Sequence, residues 1–272
     1  MAELLTTKVS RKELDEGIIP QNFVLCLIDY DNENLKTKGG LLIGFNKDVN
    51  YGTGEPNDTS SRPADLAEVS CIVYKLPARL YFNPDDPNKS MPWDCDMDLQ
   101  VGDHVWTNPI EALNAIGMEC ESKVYRLLPY QDLYCAKRTI QLPGNISVKD
   151  IIDIWKQTGD LLYPANSINA VIMLNGYVLC EQIHKESLSV LDVTTQEQID
   201  TTKGKIAYLG KQNRRYLSNE LCDFENLSVG DVVLFDKKYK PFLLERTLYA
   251  SKFSQDKLYW VVPRRRIVAK LN

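Results

Sequence analysis

Few residues of this chain are spaced for covalent or metal chemistry. Its two histidines, His104 and His184, have no His or Cys at ligand spacing, so neither reads as a zinc ligand. Asp94-Cys95-Asp96-Met97-Asp98 imitates the opening of a calcium loop. Such a loop needs Gly at its sixth place and Glu at its twelfth, where this chain has Leu99 and Val105. Gly52-Thr53-Gly54 lacks the lysine and the helix of a phosphate loop. The seven cysteines, Cys26, Cys71, Cys95, Cys120, Cys135, Cys180 and Cys222, include no Cys-x-x-Cys pair. Several sit inside apolar runs, as in Val24-Leu25-Cys26-Leu27 and Val178-Leu179-Cys180, which is the pattern of reduced core thiols in a cytosolic protein. No nucleophile pairs with a base. The expectation is a protein that is not an enzyme and has no cofactor and no metal.

A different kind of chemistry stands in Lys36–Gly44, Lys-Thr-Lys-Gly-Gly-Leu-Leu-Ile-Gly. Leu41, Leu42 and Ile43 follow the pair Gly39-Gly40 and precede Gly44, and Asn- and Gly-rich sequence flanks them on both sides. Glycine on both sides frees the backbone, and a polar surround of this kind does not hold a fold of its own. Three large aliphatics in such a setting are an apolar bait that docks into a groove on a partner. The competing reading is a short strand, Leu41–Phe45, after a Gly-Gly turn.

Bulk properties narrow the classes. The chain has 272 residues, 44% hydrophobic and 25% charged, with a formal net charge of −5. These are the proportions of a globular protein of one large or two ordinary domains. The acidic balance opposes a nucleic-acid footprint, which needs a basic face. Arg264-Arg265-Arg266 and Arg214-Arg215 are short basic clusters that suit turns or interfaces. No apolar run approaches the roughly 20 residues of a membrane span, and Met1–Lys12 has no apolar stretch of a secretory signal.

The elements that must carry the bait are short strands. Residues 1–17 are polar, and 1–19 read as an N-terminal arm, with a turn of helix at Arg11–Glu16. Phe23–Ile28 is a short apolar run opened by Pro20, and Ala67–Tyr74 is a second strand. Asn83–Asp98, with Pro84, Pro87 and Pro92 and several Asp residues, is an exposed loop. Val101-Gly102-Asp103 turns into His104–Thr107, and Tyr125–Lys137 reads as strand, turn and closing strand. Ser147–Gln157 breaks the pattern: Ser147 caps, and Ile151, Ile152, Ile154 and Trp155 recur at helical spacing.

The second half repeats the first in the same order. Val24-Leu25-Cys26 is echoed by Val178-Leu179-Cys180, and Leu41–Ile43 by the apolar centre Leu188-Ser189-Val190-Leu191. Ala67–Tyr74 is set against Lys203–Gly210. Leu99–Trp106 is echoed by Leu227–Leu234, Tyr125–Pro129 by Tyr259–Pro263, and Leu133–Lys137 by Ile267–Lys270. The domains are therefore 1–19, an arm; 20–138, a first unit of short strands, a β-barrel or sandwich; 139–167, a linker with one short helix; and 168–272, a second such unit. The fold class is all-β.

Each half resembles a GroES-type co-chaperonin subunit, of the ten-kilodalton chaperonin family. The likeness rests on the apolar strand Phe23–Ile28, the loop Gly39-Gly40-Leu41-Leu42-Ile43, and the Val-Gly-Asp turns of Val101–Val105 and Val229–Val233. The closing strands Asp132–Ala136 and Arg266–Ala269 complete it. The insert Asn83–Asp98 and the bridge 139–167 depart from the family pattern, and the second loop lacks the Gly pair. The resemblance implies two tandem GroES-like barrels and a cytoplasmic homo-oligomeric ring. It implies a GroEL-type chaperonin ring as partner, met through Gly39, Gly40, Leu41, Leu42 and Ile43, with Leu188, Val190 and Leu191 at the matching place. It points to protein folding as the process, with no nucleic acid and no membrane. The departures fit a bacteriophage-encoded member acting in the host cytoplasm. The alternative is a phage virion or ring structural protein built on the same barrels.

Overall fold

In the computed structural model, residues 6–28, 35–36, 42–43, 70–82, 91–93, 95–108, 111–112, 115–141, 167–184, 199–213, 226–245, 253–254 and 256–271 are described. The chain divides into two compact units. Unit 1 is Met1–Tyr81 with Leu99–Leu133, and unit 2 is Phe82–Asp98 with Tyr134–Asn272. Both are all-β.

In unit 1 the strands are β1 (Thr6–Lys8), β2 (Phe23–Ile28), β5 (Ser70–Lys75), β6 (His104–Thr107), β7 (Ile116–Cys120) and β8 (Lys123–Pro129). Their order is β1-β7-β8-β2-β5-β6. A two-residue pair, β3 (Leu35–Lys36) with β4 (Leu42–Ile43), lies between β2 and β5 in the chain. β2 is apolar along its whole length, and Val24, Leu25 and Cys26 are all fully buried, as expected of a strand covered on both faces. Residues 6–17 of the expected arm are built into this unit. β1 pairs parallel with β7, from Thr6↔Gly117 to Lys8↔Glu119. A π-helical turn, Glu13–Gly17, follows, and its Leu14 is 0% exposed. Leu14 packs in a cluster with Leu25, Met118, Cys120 and Tyr125.

Unit 2 holds β9 (Leu133–Gln141, which opens at the unit boundary), β10 (Ser167–Met173), β11 (Tyr177–His184), β12 (Ile199–Leu209), β13 (Val232–Phe235), β14 (Phe242–Leu243), β15 (Tyr259–Pro263) and β16 (Ile267–Leu271). β14-β15-β11-β12-β13-β16 form one antiparallel sheet. β9 and β10 pair antiparallel from Ser167↔Gln141 to Met173↔Cys135. The core gathers Val178, Cys180, Ile206, Val233, Phe235, Trp260, Val262 and Ile267. Among the described residues, each strand order is open-ended rather than closed on itself.

The two halves repeat in hydrogen-bond register, each inside its own unit. Val24↔Leu128 and Cys26↔Arg126 in one correspond to Val178↔Val262 and Cys180↔Trp260 in the other. A register shift precedes the cysteine in both: Cys26 opposes Val73, and Cys180 opposes Ile206. Gly102 (φ 93°) donates to the Val73 carbonyl at 2.8 Å, and Gly230 (φ 95°) to that of Ile206 at 2.8 Å. Asp103 takes the Gln100 N–H at 2.7 Å, as Asp231 takes that of Ser228 at 2.7 Å. Only glycine adopts such a φ without strain, and an Asp side chain closes the turn behind it. That explains the spacing of Val-Gly-Asp. The closing 3-10 turns, Tyr130–Asp132 and Arg264–Arg266, also match. The Tyr130 N–H donates to Asn22 O at 2.8 Å and the Arg264 N–H to Gly176 O at 2.9 Å.

Three expectations need correction. The partner of Lys203–Tyr208 is Ser70–Lys75 rather than a span starting at Ala67, because Val73 and Ile206 hold the same place. In the stretch expected as an exposed loop, Met91 is 1% and Trp93 7% exposed. The Trp93 indole donates to Asn175 Oδ1 at 3.0 Å, which satisfies its polar edge inside unit 2. β9 and β10 also take the ends of the expected linker into strands. The expected helix Ser147–Gln157 lies outside the described residues.

Candidate functional site

The candidate docking loop is hung between two neighbouring antiparallel strands. β2 ends at Ile28, β5 begins at Ser70, and Ile28 opposes Cys71. Residues 29–69 therefore leave and return at one place. The second candidate loop, residues 185–198, sits at the corresponding place: β11 ends at His184, which opposes Ile199 of β12. The second insertion is much the shorter.

Inside the first loop, Leu35 opposes Ile43 and Lys36 opposes Leu42. This antiparallel pair agrees with the strand reading at Leu42 and Ile43. Gly39 and Gly40 stand in the sequence between the two strands. Gly39, Gly40 and Leu41 lie outside the described residues, as do Leu188, Val190 and Leu191.

Several of the side chains weighed for catalysis are buried or stacked. Cys26, Cys71, Cys120, Cys135 and Cys180 are buried. Burial pushes the Cys26 thiol up, with a hydrogen bond to Cys71 adding to it, and pushes Cys180 up to about 12. Such thiols are poor nucleophiles. His104 opens β6 as expected and stacks on Trp106 with ring centres 4.7 Å apart. Asp98 takes the Lys211 ammonium at 3.1 Å, and its carbonyl takes the Arg138 guanidinium at 2.7 Å. Among the described residues no group of His, Cys, Asp and Glu is arranged to hold a metal, and no helix is long and apolar enough to cross a membrane.

One polar cluster was missed by sequence reasoning. Arg11 donates to Tyr74 Oη at 3.0 Å, to Glu121 at 3.1 Å and to Tyr125 Oη at 3.4 Å. Tyr74 donates in turn to Asp15, which raises its pKa. Lys75 donates to the carbonyls of Asp15 and Ile18. The cluster fastens the Glu13–Gly17 turn to β5 and β7–β8. The available signal was Leu14, a lone aliphatic in the polar stretch Ser10–Gly17.

Asp132 is the one carboxyl among the described residues pushed up to about 6, by burial first and by Glu111 second. Its backbone oxygen takes the Thr107 hydroxyl at 3.0 Å, so its setting is the strand junction of unit 1. No protein-family model matches the chain, and no curated protein matches its sequence. The internal repeat and its two loops therefore carry the functional argument.

Proposed function

We propose that the chain is a tandem co-chaperonin, two GroES-like barrels in one polypeptide, which caps a chaperonin ring and assists protein folding. The observation that carries this reading is the placement of both candidate loops at the same strand junction of a register-matched repeat. The first of them bears the apolar triplet Leu41–Ile43. Burying three aliphatic side chains is worth about 4.5–9 kcal/mol. Ordering a segment of this kind costs about 2–5 kcal/mol, and association adds its own entropy cost. A single loop therefore binds weakly, and several loops on one ring bind through effective concentration. Weak single sites also allow release when the partner changes shape. The reading needs no cofactor, no nucleic acid and no membrane, and it places the protein in the cytoplasm, the host's if a phage encodes it.

The test is replacement of Leu41, Leu42 and Ile43 together by Ser, with binding to a GroEL-type chaperonin measured in the presence of nucleotide. Loss of binding is expected, and unchanged binding removes the role of this loop. The second reading is a virion or ring component on the same barrels, favoured by the shortness of the insertion at 185–198. Its signature is the protein's presence in purified particles together with the apolar triplet packed in a subunit interface, so that its replacement disturbs assembly.

A further inference from the structure

The turn after β13 and the 3-10 turn before β16 meet at one corner of unit 2. The Asp236 N–H donates to Arg266 O at 2.8 Å, and Arg266 pairs with the Asp236 carboxylate at 3.2 Å. Unit 1 builds the same corner, where the Asn108 N–H donates to Asp132 O at 3.4 Å. The charges differ. Unit 1 has 108–112 and 130–132 there, with Glu111 and Asp132 and no cation. Unit 2 has Asp-Lys-Lys-Tyr-Lys at 236–240 and Arg-Arg-Arg at 264–266, six cations against one carboxylate. The backbone path does not require this charge, since the unit 1 corner closes without it.

Two of the six cations are committed inside the unit. Arg264 is buried and gives Nε and Nη2 to the Gly210 carbonyl at 3.0 and 2.7 Å. Arg266 is held by Asp236 and lies 5.8 Å over the Tyr239 ring. Lys237, Lys238, Lys240 and Arg265 are exposed, and none of them is ion-paired within the described residues. Their backbone is fixed. The Lys238 N–H donates to Asp236 Oδ1 at 2.9 Å, the Tyr239 N–H to Asp236 O at 2.8 Å and the Tyr239 hydroxyl to Val261 O at 2.9 Å. Four like charges held on one corner repel one another, and an anionic partner relieves that repulsion.

We propose that Lys237, Lys238, Lys240 and Arg265 form a docking surface for a short carboxylate-rich segment of a partner protein. The chemistry favours carboxylates over phosphates, because two of the three guanidinium forks of the corner, which would read phosphate bidentately, are already occupied. What remains is mostly ammonium groups on flexible stems, which follow a run of carboxylates without a fixed geometry. The charge of the whole chain favours a short segment over a nucleic acid. The two turns carry a formal +5, so a chain of net −5 has −10 elsewhere. A long polyanion has to cross that acidic surface, whereas a short segment touches the corner alone. Contacts of this kind speed encounter and weaken with salt. The inference goes beyond the co-chaperonin reading and does not rest on it, since it uses neither the docking loop nor the ring.

The experiment titrates the full chain into fluorescently labelled oligoglutamate and follows anisotropy at low and at physiological salt. Oligoglutamate should bind, more weakly as salt rises, and oligoglutamine should not. Lys237→Gln, Lys238→Gln and Lys240→Gln together should weaken binding about tenfold, since three exposed ion pairs are lost. Lys8→Gln, Lys12→Gln and Lys123→Gln together make the same change in net charge at exposed places of unit 1 and should leave binding near wild type. Arg265→Glu, a single exposed change at the corner, should weaken binding as well. The proposal is overturned by no binding of oligoglutamate at low salt, by equal losses in the two triple variants, or by an Arg265→Glu chain that binds as wild type does. It is also overturned by single-stranded DNA of the same length binding more tightly than the peptide, which would make the corner a nucleic-acid surface.

Discussion

The two halves share a hydrogen-bond frame but fill it differently. Before β2, unit 1 has a π-helical turn with Leu14 sunk into the core, where unit 2 has the strand β10 before β11. On β5, unit 1 has the buried Cys71, and at the matching place of β12, unit 2 has Gly204. A Cβ on Gly204 would stand 2.8 Å from Cys180 Cβ and 2.9 Å from Phe235 Cζ. Phe235 stands at the place that the smaller Thr107 holds in unit 1. At the closing turn, unit 1 has Asp132 near Glu111, while unit 2 has Arg266 paired with Asp236 at 3.2 Å. Turn glycines, turn aspartates and strand register stay constant because they determine the path of the backbone. Side chains vary where the neighbour is another side chain.

The largest effect is expected from Leu14→Ala. If the N-terminal turn is part of the unit 1 core, the substitution lowers stability by about 2–5 kcal/mol, read by chemical denaturation. An arm lying outside the core would give a change within about 0.5 kcal/mol. Next comes Gly204→Cys, which gives the second half the residue of the first. Overpacking against Phe235 should cost about 1–3 kcal/mol. Adding Phe235→Thr should recover part of that, as a coupling in a double-mutant cycle. Purely additive losses would mean that the two positions do not share one space.

The smallest effect concerns pH. Asp132 has its folded pKa raised to about 6, so the folded state favours its protonated form. Its contribution is fully present below the unfolded value of about 3.9 and is lost as pH rises through about 6. Asp132→Asn should therefore stabilise the protein at neutral pH by about 1–2 kcal/mol, after allowance for the part of the side chain in water. It should also flatten the fall in stability between about pH 4 and about pH 6. Parallel pH profiles for the two proteins would contradict this.

Much of the strand frame was legible in the sequence. Phe23–Ile28 and Tyr259–Pro263 are apolar runs too short for helices, and Val-Gly-Asp marks a turn whose Gly and Asp have separate physical duties. β7 escaped notice because Ile116-Gly117-Met118-Glu119-Cys120 contains a Gly and no alternation. β1 escaped because Thr6-Thr7-Lys8 is polar and lies at a sheet edge. The burial of Met91 and Trp93 is hidden in the sequence because the prolines and aspartates around them dominate composition, and the partner of the Trp93 indole, Asn175, is distant in the chain. The Ser70–Lys75 match was displaced because a register shift cannot be read from residue types. Of the loop residues, Leu42 and Ile43 fall in a strand pair, and the apolar pattern around them was legible without it.

The central claim is that residues 29–69 are a docking loop and not a buried strand. Limited proteolysis of the free protein and of its mixture with a GroEL-type chaperonin and nucleotide tests it most directly. The account predicts early cleavage between Asn32 and Ser61 in the free protein and protection of the same bonds when the chaperonin is added. Resistance in the free protein, or identical cleavage with and without the chaperonin, would contradict it.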